Sequence, residues 1–310
     1  MKFRNVALLL LSSSAGIAAD TQGRVQSLKI TILTTMLTDR AGIGEWGFAA
    51  LVETGGQRIL FDTGGRPGTL LANAKELGID LSGIKKIVLS HNHGDHTVGL
   101  PSLRDLLPGA EVHVGQGIFY SRRTAQGREG NYMAANRVTL SGFRFVEHDK
   151  PFELAPGVWL TGPVPRRYPE RNYHASGKVV TPAGEKEDVI PEDSSLVFDT
   201  DRGLVVLSGC GHAGIVNTLE YARAIVRNAP MHAAIGGWHM FHLDDARLEW
   251  TAGKLREFGL ENFLGAHCTG IEPVYRIRQL NHMPRENCLA GAVGSRFELG
   301  NGIDPGLIAR

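Results

Sequence analysis

Residues 89–100, LSHNHGDHTVGL, place three histidines and an aspartate within six positions, from His91 to His96, at the end of the β-branched run IKKIVLS. Few arrangements keep such a segment ordered. That run reads as a strand buried on both faces. Side chains alternate along a strand, so His91 and His93 point the same way at its end, as two ligands of one metal ion must. Gly94 predicts a tight backbone reversal, after which Asp95 and His96 face a neighbouring ion. Imidazole nitrogens and a carboxylate oxygen suit zinc first, with manganese or iron as alternatives. A histidine-rich surface turn is the bland alternative, and four ligand-type side chains closing an apolar strand favour the metal site.

The rest of the chain bounds what such a site can serve. With 310 residues, 42% hydrophobic and 21% charged, it is long enough for one enzyme-sized globular domain, expected over residues 20–310. Formal net charge is +1 and no basic run interleaves with aromatics, so the footprint of a nucleic-acid binder is missing and a small-molecule substrate is expected. Residues 1–19 read as a signal peptide, with Lys2 and Arg4, an apolar run from Val6 to Leu11 and a small-residue exit from Ala15 to Ala19. The mature protein is therefore expected to be periplasmic or secreted, with no membrane partner after cleavage. Three cysteines, Cys210, Cys268 and Cys288, are too few for a disulfide scaffold and leave at least one thiol outside any bridge within the chain.

Strand and helix signals alternate. SLKITILTT, AALVET and QRILFDTGG read as strands, the last two joined by a Gly-Gly turn, and GTLLANAKELG reads as a helix closed by Gly78. Residues near 115–185 are rich in Gly, Pro, Arg and Tyr and predict a loop-rich insertion on the substrate side. SSLVFDTDRGLVVLSGCGH follows as two strands with an Asp-Arg-Gly turn, then a helix at IVNTLEYARAIVRN. HAAIGGWH is a short strand, DDARLEWTAGKLREFG an amphipathic helix with an acidic first turn, and ENFLGAHCTG a last strand.

SHNHGDH resembles the H-x-H-x-D-H signature of the metallo-β-lactamase superfamily, and the likeness continues through LFDTGG, SGCGHAGIVNT, IGGWH and GAHCTG. Within it the chain is most similar to the dihydropterin synthase-like branch. The resemblance implies an α/β fold, a four-layer αβ/βα sandwich with two divalent metal ions at one edge. It implies that His91 and His93 hold the first metal, that Asp95 and His96 hold the second, and that His267 is the final histidine. Asp62 matches an acid supporting a ligand from behind, although an ordinary Asp-Thr-Gly turn residue is the local alternative. The usual aspartate after the later strand is missing. Either Cys210 takes the bridging position as a thiolate with His212 on the first metal, or His212 serves while His239 replaces the acid. Cys210 as a small buried hydrophobe, and His239 or His242 as a strand-end or substrate contact, are the structural alternatives.

Metal-activated water needs no nucleophilic side chain, and no Gly-x-Ser-x-Gly or phosphate-binding glycine loop competes for the role. The superfamily likeness gives Asp95 a catalytic part, holding the attacking water and delivering a proton to the leaving group. The leading expectation is a hydrolase acting on an ester, lactone, phosphoester or β-lactam. The alternatives are a mononuclear iron enzyme of the persulfide dioxygenase kind, a dihydropterin synthase-like transferase, or a non-catalytic metal-binding protein. Arg122, Arg123, Arg128, Arg166, Arg167 and Arg171 are candidates for an anion clamp, while His113, His148, His174, His232 and His282 lack companion ligands nearby in sequence.

Overall fold

In the strand Ala49–Thr54, Ala50 and Val52 face one core while Ala49 and Leu51 face another, and all four are buried. This two-residue alternation, repeated in strand after strand, builds the layers. The computed structural model describes residues 23–309 apart from 125, 132, 134–139 and 174–176, so residues 1–19, expected as a signal peptide, and His174 lie outside the described residues.

In chain order the strands are β1 (Leu28–Thr34), β2 (Ala49–Thr54), β3 (Gln57–Phe61), β4 (Lys86–Leu89), β5 (Glu111–Gly115), β6 (Arg122–Arg123), β7 (Glu129–Gly130), β8 (Arg144–His148), β9 (Phe152–Ala155) and β10 (Val158–Leu160). They continue as β11 (Lys178–Thr181), β12 (Gly184–Glu187), β13 (Ser195–Thr200), β14 (Gly203–Ser208), β15 (Met231–Gly236), β16 (Asn262–Gly265), β17 (Cys288–Ala290), β18 (Arg296–Glu298) and β19 (Gly302–Asp304). One sheet has the order β19-β18-β1-β2-β3-β4-β5-β8, the second the order β17-β16-β15-β14-β13-β10-β9. A small third sheet, β12-β11-β6-β7, lies apart from these two.

The two large sheets meet through Ile30, Ile32, Phe61 and Val88 on one side and Phe198, Val205, Leu207 and Ile235 on the other. The outer face of the first sheet buries Leu60, Ile87 and Leu89 against Leu70 and Ala74 of the helix Thr69–Glu76. The outer face of the second buries Leu204, Val206 and Ala234 against the helices Ile215–Ile225, Asp245–Glu257 and Ile271–Leu280. Helix, sheet, sheet and helix therefore form the expected four-layer αβ/βα sandwich. Each fully buried aliphatic or aromatic side chain in these layers is worth about 1.5–3 kcal/mol. Asp244 caps the helix Asp245–Glu257 by accepting from the Arg247 backbone N–H at 2.8 Å, and Asp245 supplies the expected acidic first turn.

Three local expectations need correction or refinement. The stretch near 115–185, expected to be loop-rich, also carries strands of the main sheets: β8 extends the first beside β5, and β10 extends the second beside β13, with its hairpin partner β9 at the edge. The strand in ENFLGAHCTG is not the last, because β17, β18 and β19 follow it. The reversal at Gly94 does not use glycine's left-handed freedom; it is a single helical turn, Gly94–Thr97, and Asp95 and His96 fall in a different group from His91 and His93, as expected.

Parallel pairing sets the site's location. β14, β15 and β16 run parallel in register, with Ser208 beside Gly236 and Gly236 beside Gly265. Their carboxyl ends finish at one edge, where β3 and β4, also parallel, finish on the facing sheet. Such strand ends are where open α/β sheets hold ligands. Among the described residues no helix is long and apolar enough to cross a membrane.

Candidate metal centre

The first group able to hold a metal ion is His91, His93 and His212. Ser90 Oγ donates to Asp62 Oδ2 at 2.7 Å, so it accepts from His91 Nδ1, 2.9 Å away. His212 Nδ1 donates to the Asn172 carbonyl. Both Nε2 atoms are left as bare lone pairs, and they face each other at 3.3 Å. Two lone pairs repel at that distance, whereas a cation between them turns the contact into attraction, so the donor set fits a divalent metal. Burial, then the neighbouring imidazoles, hold His91 well below the usual histidine range. Burial does the same to His212, and desolvation lowers His93 to about 4 against the pull of Asp95. These are neutral rings, the form that binds metal.

The second group is Asp95, His96, Cys210 and His267. His96 Nδ1 donates to Asp62 Oδ2 at 2.7 Å, which turns Nε2 toward Cys210 Sγ at 3.1 Å. Asp95 Oδ2 stands 3.2 Å from His267 Nε2 and 3.8 Å from His96 Nε2. Burial alone would lower His96, but the carboxylates of Asp62 and Asp95 lift it to about 9. Burial works to raise Asp95 and is overcome by His96, His267 and His93, which hold its carboxyl well below the usual range. The Cys210 thiol is driven well up by burial and by Cys268. A bound cation would reverse that, because a coordinating thiol is deprotonated outright.

Of the alternatives for the middle of the site, the structure sets Cys210 beside Asp95, His96 and His267, and His212 beside His91 and His93. His239 lies in neither group; it stands with Cys210 and Cys268, its ring centre 4.7 Å from that of His212. Asp62 is buried behind the candidate ligands and bound to both His96 and Ser90, so its side chain does more than close a local Asp-Thr-Gly turn. Its φ of 57° is left-handed, as are those of His239 at 46° and His267 at 47°. All three residues follow strands that end at the site, and such backbone strain gathers where side chains must be aimed for function.

Sequence reasoning missed Cys268, Ser90, Asn172 and Trp46. Cys268 had a signal in its adjacency to His267, but its closeness to Cys210 depends on strand register. The exposed rings of Trp46 and Phe241 meet edge to face at 5.7 Å, and Trp46 also leans on His267, with ring centres 5.0 Å apart. His242 packs against Phe241 and His239 on the same rim. The remaining histidines lie elsewhere: His113 contacts His148 at 3.0 Å, and His232 bonds Glu261. Arg122 is spent on Asp188 and Glu192, and Arg166 on backbone carbonyls of Val189 and His212, so neither forms an anion clamp. Arg123 pairs with Glu129 and Glu185, while Arg128, Arg167 and Arg171 are exposed.

The sequence matches the family described as Metallo-beta-lactamase superfamily over residues 47–226. It is 29% identical over 277 residues to the 7,8-dihydropterin-6-methyl-4-(beta-D-ribofuranosyl)-aminobenzene-5'-phosphate synthase of Methanocaldococcus jannaschii, covering 81% of this chain and 90% of that protein. It is 27% identical over 258 residues to the uncharacterized protein MJ0448 of the same organism, covering 82% and 95%. Among solved structures, Tm1679, described as a metal-dependent hydrolase of the beta-lactamase superfamily, superposes with a TM-score of 0.74 at 26% identity, over 87% of this chain and 98% of that one. A diphosphatase from the PhnP family shares the fold at a TM-score of 0.52 and 13% identity, over 89% and 100%.

Proposed function

The chain belongs to the metallo-β-lactamase superfamily, and from that footing we propose that it is a metal-dependent hydrolase acting on an ester, lactone, phosphoester or β-lactam bond of a small molecule. The observation that carries the reading is the confrontation of His91 and His212, whose bare nitrogens lie 3.3 Å apart beside a second group holding a carboxylate. Its likeness to a protein described as a metal-dependent hydrolase supports the same reading. The nitrogen-rich donor set with one sulfur favours two zinc ions, with manganese or iron as alternatives.

Divalent ions held by His91, His93 and His212 and by Asp95, His96, Cys210 and His267 would supply a water of lowered pKa and polarise the reacting bond. The remaining work falls to side chains. His91, His93 and His212 offer lone pairs and no protons. Asp95, whose side chain is 21% exposed, is reachable from outside and stays ionised. As an accessible carboxylate it can accept a hydrogen bond from the attacking water and relay that water's proton to the leaving group. Asp62 keeps His96 aimed, and the half-exposed rings of Trp46 and Phe241 offer an apolar rest for the part of the substrate that does not react.

The relation to the dihydropterin synthase favours a second reading, a transferase in which the same residues serve an acceptor other than water. The charged start, apolar run and small-residue exit of residues 1–19 support export. Chain loaded with zinc, manganese or iron in turn and assayed on ester, lactone, phosphoester and β-lactam panels tests the hydrolase. Turnover that disappears on chelation is the expected result. No hydrolysis, with condensation of a dihydropterin and an aminobenzene acceptor, would establish the transferase instead. A mature N-terminus near Ala19 or Asp20 by mass spectrometry is the outcome expected of export.

A further inference from the structure

Cys210, Cys268 and His239 form a third group whose ligand atoms all lie within 4.8 Å of one another, all three residues buried. The two sulfurs are 3.2 Å apart, and the backbone N–H of His239 donates to Cys268 Sγ at 3.2 Å. The three side chains come from the exits of the parallel strands β14, β15 and β16, so sheet register holds them together. We propose that this group is a soft-metal site, two sulfurs and an imidazole that take a thiophilic ion such as zinc, cadmium or cuprous copper, with the Cys210 sulfur shared with the Asp95, His96 and His267 group.

The chemistry of the donors argues for it. Thiolate selects soft ions, while manganese and magnesium prefer oxygen and are directed to the Asp95 side. An N–H aimed at sulfur stabilises the thiolate that coordination requires. Cys210 already faces His96 on one side and Cys268 on the other, the posture of a bridging ligand. The proposal is independent of which reaction the enzyme performs.

The test is cadmium-113 NMR of the full chain, stripped by chelation and titrated with cadmium under reducing conditions, with manganese titrated in parallel. One resonance in the range of two-sulfur coordination is expected, together with one more equivalent of cadmium than of manganese. Cys268→Ser should move that resonance to the one-sulfur range or abolish it, and should lower the cadmium stoichiometry by one. An unchanged spectrum in Cys268→Ser would overturn the proposal. So would a wild-type spectrum with no two-sulfur resonance, or a Cys210–Cys268 disulfide persisting in metal-loaded protein. The wild-type spectrum decides alone if the variant does not fold.

Discussion

Asp62 and His96 are joined by a hydrogen bond of 2.7 Å from Nδ1 to Oδ2, between two side chains with no exposed surface. The same carboxylate oxygen receives the Ser90 hydroxyl, which in turn accepts from His91. One acid thus orients a ring in each ligand group. In Asp62→Asn, asparagine tolerates the left-handed backbone but brings an amide donor where the carboxylate accepts, so metal affinity should fall about 10–100-fold. Competition with a chromophoric chelator measures it, and an unchanged constant would remove Asp62 from the support of the site.

His93 sits at the edge of its group and is only partly covered. His93→Ala should lose at least one metal equivalent and nearly all turnover while the far-ultraviolet circular dichroism stays as in wild type. Elemental analysis of the purified variant is the check; full metal content would refute the ligand assignment.

Gly209 lies where the second sheet presses on the ligand support. A Cβ there would stand 2.2 Å from Ser90 Oγ and 2.4 Å from Asp62 Oδ2. Gly209→Ala should therefore displace the Asp62 network, lowering both metal affinity and stability, the latter by about 1–3 kcal/mol. Denaturant melts with and without metal separate the two effects, and wild-type values in both would contradict the close packing.

Stability should also carry a pH signature away from the ligands. Glu170 accepts from the backbone N–H groups of Val216 and Asn217, at 3.2 and 2.8 Å, yet burial pushes it up to about 7. An acid whose folded pKa exceeds its unfolded value binds more protons when folded, so it favours the fold at low pH. That contribution is lost as the pH climbs from about 4.5 toward 7. Glu170→Gln should flatten this decline in melting temperature across the same window; a slope identical to wild type would show that Glu170 ionises freely in the fold.

The sandwich was legible wherever alternation and turn chemistry are local, as in the Gly55-Gly56 hairpin and the turn from Asp201 to Gly203. It was illegible where pairing is long-range: β18 joins β1 with Arg296 opposite Thr31, and neither short run announces the other. The site divides in the same way. His91 to His96 lie within one turn of chain and advertise themselves, and the likeness to a known superfamily supplied His267 and His212. Cys268 escaped because its neighbour Cys210 is 58 positions away and reaches it only through strand register.

The candidate ligands are split between the sheets, with His91, His93, Asp95 and His96 following β4 and Cys210, His212, His239 and His267 following β14, β15 and β16. A bound ion would therefore be a rivet through two plates. Its grip adds to cohesion between the halves in proportion to the logarithm of free metal over the dissociation constant. Stripped of metal, the molecule should part first along that seam, with amides at the ends of β4 and β14 exchanging faster while the outer helical layers keep their protection.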